Sequence, residues 1–273
     1  MINEFQTYLT AIRGYSKNTA IAYGKDLRQF AKFIKTNQPD KRWSTITRDD
    51  VDAYIIYLSN TGHKPATLCR HIASIDGIYK YMKREGKDVV NPAQYESRPK
   101  IGKKQPNTIP LKDLEQAISS ADGLARIIIK IMLETGVRVQ ELLDITKADV
   151  DLDNGRIKVR GKGNKERLVY ISETTRQQLR IWCNDSTDKL FGALDQREVR
   201  RIVYMTLKRY SSAKQLSPHA IRHTYATEMA RRGMAATTLQ KTLGHQRLET
   251  TQRYIDYGQI HHEAEVRQLS IFN

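Results

Sequence analysis

The spacing of apolar residues divides the chain into stretches of different period. Phe5, Leu9 and Ile12 mark an amphipathic start, and Leu68, Ile72, Ile75, Tyr79 and Met82 recur at helical intervals until Gly86. Ser16 is placed to cap a helix from about Asn18 to Ile34. Thr47 is placed to cap another whose first turn holds Asp49 and Asp50, where negative charge suits the helix dipole. Residues 1–90 are therefore expected to form a four-helix N-terminal domain.

From 91 to 110 no apolar period survives. Pro92, Pro99, Pro106 and Pro110 interleave with Arg98, Lys100, Lys103 and Lys104, the composition of a basic interdomain linker. Helical spacing returns from about Leu111 to Leu143, with breaks near Asp122-Gly123 and Gly136. The period then shortens to two. Residues 156–160 and 167–171 alternate as strands joined across Gly161-Lys162-Gly163-Asn164, and Asp153-Asn154-Gly155 offers a preceding tight turn. The pattern predicts a mainly α chain with a small antiparallel β-sheet, its second domain (111–273) being α+β.

Charge narrows the partner. The formal net charge is +16, with 17 Lys and Arg against 10 Asp and Glu in residues 1–100 and 29 against 20 in the rest, so neither half is merely a basic tail. Such a surface attracts polyanions and releases their counterions, which puts nucleic acid first. A ribosomal or membrane-surface protein would show the same totals. No apolar run approaches the roughly 18 residues of a membrane helix, and Met1-Ile2-Asn3-Glu4-Phe5-Gln6 lacks the order of a secretory signal. A cytoplasmic protein is expected. Cys69 and Cys183 stand alone and read as reduced thiols.

Three blocks carry candidate chemistry. In Ser217-Pro218-His219-Ala220-Ile221-Arg222-His223, Ser217 suits an N-cap, Pro218 the first turn and Gly233 the helix end. His219 and Arg222 then share a face beside free backbone N–H groups, an arrangement fit for phosphate. Gly244, in Leu243-Gly244-His245, would end a helix from about Ala236, and Thr250-Thr251-Gln252-Arg253-Tyr254 opens the next. In the third block, Thr135 to Leu143, Arg138 and Glu141 lie three apart on one face. Each block alone has an ordinary explanation: a capping pair, a packed tyrosine, an intrahelical ion pair. Gly161-Lys162-Gly163 lacks P-loop spacing, and His219 and His223 lack the glutamate of a zinc helix, Ala220 standing in its place. No nucleotide or metal cofactor is expected.

Together and in this order, the blocks resemble the tyrosine recombinase family, particularly its Xer-type and phage-integrase members. The resemblance covers nearly the whole chain. It is strongest in SPHAIRHTYATEMARRG and TLQKTLGHQRLETTQRY; TGVRVQELLDI resembles the family's arginine block, and VRGKGNKERLVYI its lysine-bearing hairpin. It implies a two-domain clamp on double-stranded DNA in which Arg138 and Arg222 grip the scissile phosphate. Lys162, His219 and His245 would complete the pocket, Tyr254 would be the nucleophile, and Glu141 would orient Arg138 or a histidine. It further implies a homotetramer on two recombination sites, a Holliday-junction intermediate and a role for accessory proteins. Val266, Leu269, Ile271 and Phe272 in the tail form an apolar cluster suited to docking on a neighbour or on their own domain. Tyr257, one turn after Tyr254, is the rival nucleophile, and Asp256 stands where many relatives have a histidine. The nine-residue interval from His245 favours Tyr254.

The chemistry is coherent in its own right. Displacement at a phosphodiester concentrates negative charge on the phosphoryl oxygens, so two arginines stabilise the transition state without a required metal. A phenol needs a proton acceptor, which His219 offers, and the departing 5′-oxygen needs a proton, which Lys162 offers. His245 offers a hydrogen bond to a phosphate oxygen. A phosphotyrosine link conserves the bond energy, so rejoining needs no ATP. Two other readings stay open: a type IB topoisomerase-like enzyme and a noncatalytic DNA-binding protein of the same fold. Chromosome-dimer resolution and mobile-element integration are equally compatible with the sequence.

Overall fold

The computed structural model describes residues 1–94, 99, 102, 105–161, 163, 165–182, 188–192 and 194–257. The chain divides into two compact units between Lys103 and Lys104. Arg98, Lys100, Lys103 and Lys104 of the basic stretch, Lys162, Cys183 and the tail residues Val266, Leu269, Ile271 and Phe272 lie outside the described residues.

The first unit contains α1 (Ile2–Ala11), α2 (Lys17–Asn37), α3 (Arg48–Asn60) and α4 (Pro65–Arg84). Local chemistry sets their starts. Ser16 Oγ accepts the Thr19 N–H at 3.2 Å, while the Asp50 carboxylate reaches back to the Thr47 N–H at 2.7 Å and its hydroxyl at 3.0 Å, so an otherwise orphaned donor is satisfied. Phe5, Leu27, Phe30, Tyr54, Ile75 and Tyr79 bring all four helices into one core. One expectation fails here. Ile12 falls just past α1, at its C-cap, and is 65% exposed, because the helix ends before the third apolar position can turn inward.

The second unit contains α5 (Leu111–Ser120), α6 (Gly123–Thr135), α7 (Val139–Leu143), β1 (Val150–Asp151), β2 (Arg156–Arg160), β3 (Glu166–Tyr170), α8 (Glu173–Trp182), α9 (Gln196–Leu207), α10 (Pro218–Arg231) and α11 (Ala236–Leu243). Residues 249–257 are also helical. The antiparallel sheet runs β1-β2-β3 and pairs Ile157 with Val169 and Val159 with Arg167. α6 buries Ile127, Ile128, Ile129, Ile131 and Met132, and α10 buries Ala220 through Ala226 without a break. Helices covered on several faces form the centre of a unit, and each fully buried Ile or Leu contributes roughly 1.5–3 kcal/mol. The residues flanking His219 and Arg222 are thereby held rigid. No helix of the described residues is long and apolar enough to cross a membrane.

Candidate active site

The site is organised by the carbonyl end of α11. The last carbonyls of a helix lack intrahelical partners and carry the negative end of its dipole, so they attract cations. Three guanidinium groups converge there. Arg167 Nε donates to Thr242 O at 2.7 Å, and Arg222 Nη2 donates to Leu243 O at 2.7 Å. Arg138 donates to Leu243 O and Gly244 O, both at 3.4 Å. Arg222, 2% exposed, also donates from Nη1 to Gly136 O at 2.5 Å. Gly136 permits this approach: its φ is +62°, and a Cβ there would strike the Tyr225 ring.

Glu141 is the counter-charge. Arg138 is the N-cap of the short α7 and Glu141 its third residue. The carboxylate accepts the Arg138 N–H at 2.9 Å and Nη1 at 2.7 Å. It also accepts Arg167 Nη1 at 3.2 Å and Nη2 at 2.7 Å, and Arg222 Nη1 lies 3.9 Å away. Burial would raise its pKa, but the hydrogen bonds and charges of Arg167 and Arg138 hold it at about 2. Burial, then the Arg138 charge, pull Arg222 down to about 9, so it stays protonated at neutral pH. Three guanidinium charges against one carboxylate leave this cluster of described residues doubly positive, which favours an anion in the adjoining cleft of about 380 Å³ lined by Arg138, Gln140, Arg200, Ser217, His219 and Arg222.

Tyr254 lies behind that cleft, 1% exposed, its ring packed with Tyr225, Leu239 and Leu243. Its hydroxyl is 2.6 Å from Nδ1 of His223 and 3.2 Å from Arg253 Nη2. The Arg253 guanidinium also sits 5.0 Å from the ring centroid. Burial, then His219, Arg253 and Arg222, hold His223 down at about 4, so its neutral ring accepts the phenolic hydrogen bond. His219 stands edge-on to His223, with ring centroids 4.2 Å apart. The protein packed around its ring, then Arg222, Arg253 and Arg138, keep His219 below the usual imidazole value.

His245 meets an arginine and a threonine. Its Nε2 is 3.0 Å from Arg222 Nη2 and its Nδ1 is 2.8 Å from Thr251 Oγ1. Because the arginine can only donate, Nε2 accepts and Nδ1–H donates to threonine. Burial and the arginine charges hold the ring neutral, at about 3.

The structure thus gathers Arg138, Glu141, His219, Arg222, His245 and Tyr254. Lys162 lies outside the described residues, and Gly161 beside it packs close to Glu141 and Arg167. Glu141 pairs with Arg138, as expected, and with Arg167 in place of a histidine. Sequence reasoning missed Arg167, His223, Thr251 and Arg253 as site residues. Arg167 had a signal, since strand alternation turns it inward with Val169, and a charge facing inward requires a partner.

Comparison with known proteins identifies the family. Residues 108–259 match the phage integrase family and residues 2–86 its N-terminal SAM-like domain. The chain is 31% identical to tyrosine recombinase XerC of Lactobacillus delbrueckii subsp. bulgaricus, covering 97% of each chain. It is 28% identical to tyrosine recombinase XerD of Listeria innocua, covering 93% of each. The structure of XerH site-specific recombinase bound to a palindromic difH substrate, a post-cleavage complex, matches with a TM-score of 0.79 over 99% of this chain and 85% of that one, at 20% identity, a likeness of fold. By these matches the chain belongs to the phage integrase family, as an Xer-like tyrosine recombinase.

Proposed function

We propose that the chain cuts and rejoins double-stranded DNA at specific sites, with Tyr254 as the nucleophile. The phenolic oxygen forms a bond to phosphorus, the bond from phosphorus to the 5′-oxygen breaks, and a 3′-phosphotyrosyl link results. The phenolic proton passes to the His223 and His219 pair, and Lys162 supplies the proton to the 5′-oxygen. Arg138 and Arg222 hold the non-bridging oxygens as charge builds on them. A 5′-hydroxyl from the partner duplex reverses the step. Coordinated exchange then runs through a Holliday junction on four protomers and two sites, with the two units clamping the duplex and accessory proteins setting direction. The enzyme acts in the cytoplasm.

The observation that carries this reading is the doubly positive arginine cluster beside the buried Tyr254 hydroxyl. At 1% exposure, the Tyr254 hydroxyl has to be uncovered before it can reach a phosphate. That the relatives are recombinases favours exchange over simple relaxation. The test uses a nicked duplex carrying a site that the full-length protein enriches from a random library. A covalent adduct on a denaturing gel is expected; a bound site that never yields one would mark a noncatalytic binder.

A further inference from the structure

Away from this pocket, the first unit holds a second organised polar group. Asp26 on α2 is 3% exposed, and a buried carboxylate is tolerated only when its lone pairs are matched. Arg70 of α4 donates to it from Nε at 2.8 Å and Nη2 at 3.0 Å. His71 Nε2 is 3.3 Å from the same carboxylate, and its Nδ1 is 3.0 Å from the Tyr54 hydroxyl. His71 is 2% exposed and Tyr54 fully buried. With Tyr54 donating to Nδ1, the Nε2–H of the neutral ring is turned to the side of the Asp26 carboxylate, 3.3 Å away. Asp26 thus sits between the buried His71 ring and the surface, where the Arg70 side chain is 47% exposed.

We infer that Arg70 is a specificity-determining residue that reads a guanine in the major groove of the target half-site. The inference rests on the proposed DNA-recombinase reading. A guanidinium has two edges with paired donors. Asp26 occupies the Nε–Nη2 edge, which leaves the Nη1–Nη2 edge turned from the carboxylate on a side chain that is 47% exposed. Guanine presents O6 and N7 as two acceptors on one edge, and a fork of two parallel donors matches them.

An exposed ion pair by itself adds little to stability. The two bonds to the buried Asp26 do something else: they fix the plane of the guanidinium before DNA arrives, so less side-chain freedom is lost on binding. A phosphate contact makes no such demand on orientation. Lys25, next to Asp26 on α2, and Lys64, at the start of α4, are both exposed and supply charge of that undirected kind. Arg70 stands in the second turn of α4, and the early turns of a helix are those that reach base edges when it enters a groove.

The test is selection of binding sites from a random duplex library by the full-length protein and by Arg70→Ala and Arg70→Lys. Wild type should enrich a site containing a G·C pair that both variants leave random while keeping every other position. On that site Arg70→Ala should bind about tenfold to a hundredfold more weakly, and wild type should weaken equally when the pair is changed to A·T. An unchanged consensus with uniformly weaker binding and a shallower salt dependence would make Arg70 a phosphate contact and overturn the inference alone. Absence of any enriched site with wild type would overturn both the inference and the site-specific reading beneath it.

Discussion

The Tyr254 hydroxyl lies 2.6 Å from Nδ1 of His223, 31 positions earlier in the chain. His219, the histidine that faces the cleft, touches His223 and not the phenol. For the nucleophile proposed above, the neutral ring of His223 is the first acceptor of the phenolic proton.

Tyr254→Phe should abolish the covalent adduct, and Tyr257→Phe should retain it. Both proteins are assayed on the same nicked duplex under single-turnover conditions. Retention of the adduct in Tyr254→Phe would transfer the nucleophile's role to Tyr257.

His223→Gln keeps a hydrogen-bond acceptor at the phenol but cannot take its proton. Adduct formation should slow by about a hundredfold or more, with DNA affinity nearly unchanged. Wild-type rate in this variant would assign proton transfer elsewhere.

Acid should weaken the fold in two stages. His223 and His245 are held at about 4 and about 3, below the ordinary 6.5, so the unfolded chain binds more protons and stability rises with pH. Their contribution is complete above about 6.5 and is lost as pH falls through those folded values. For His223 the difference corresponds to on the order of 3 kcal/mol. Glu141, at about 2 against 4.5, holds its contribution above 4.5 and loses it as pH falls through 2. Urea midpoints measured from pH 7 to pH 4 should fall less steeply in His223→Gln; parallel curves would contradict this.

Glu141→Ala leaves Arg138, Arg167 and Arg222 without their shared carboxylate. Removing one side of a buried ionic group costs about 3–5 kcal/mol, and the adduct should be lost with the displaced Arg138. Urea unfolding measures the first effect. A change below about 1 kcal/mol would show that the arginines are held apart by α11 alone.

Gly136→Ala combines an unfavourable positive φ with a collision against Tyr225. It should destabilise by about 1–3 kcal/mol and slow cleavage, since Gly136 O accepts Arg222. Gly86→Ala shares the positive φ with nothing within 4 Å and should cost less. Equal thermal shifts in the two variants would remove the collision from the argument.

The sequence by itself determined what depends on short separations. Ser16 and Ser217 mark helix starts, period two marks the β2–β3 hairpin, and the three-residue step from Arg138 to Glu141 anticipates their ion pair. The order of the blocks carried the family resemblance. Residues 172–216, left unassigned by spacing, hold α8 and α9, and β1 is two residues long, too short to show a period. Only the tertiary structure decided the contacts that join distant residues: Arg222 with Gly136 across 86 positions, Arg167 with Glu141 across 26 and His223 with Tyr254 across 31. It also brought His245 Nε2 to 3.0 Å from Arg222 Nη2, across 23 positions. Local spacing reports which face of an element is buried. Which charged or titratable group meets which across that face is set by how the helices pack, and packing leaves no period in the chain.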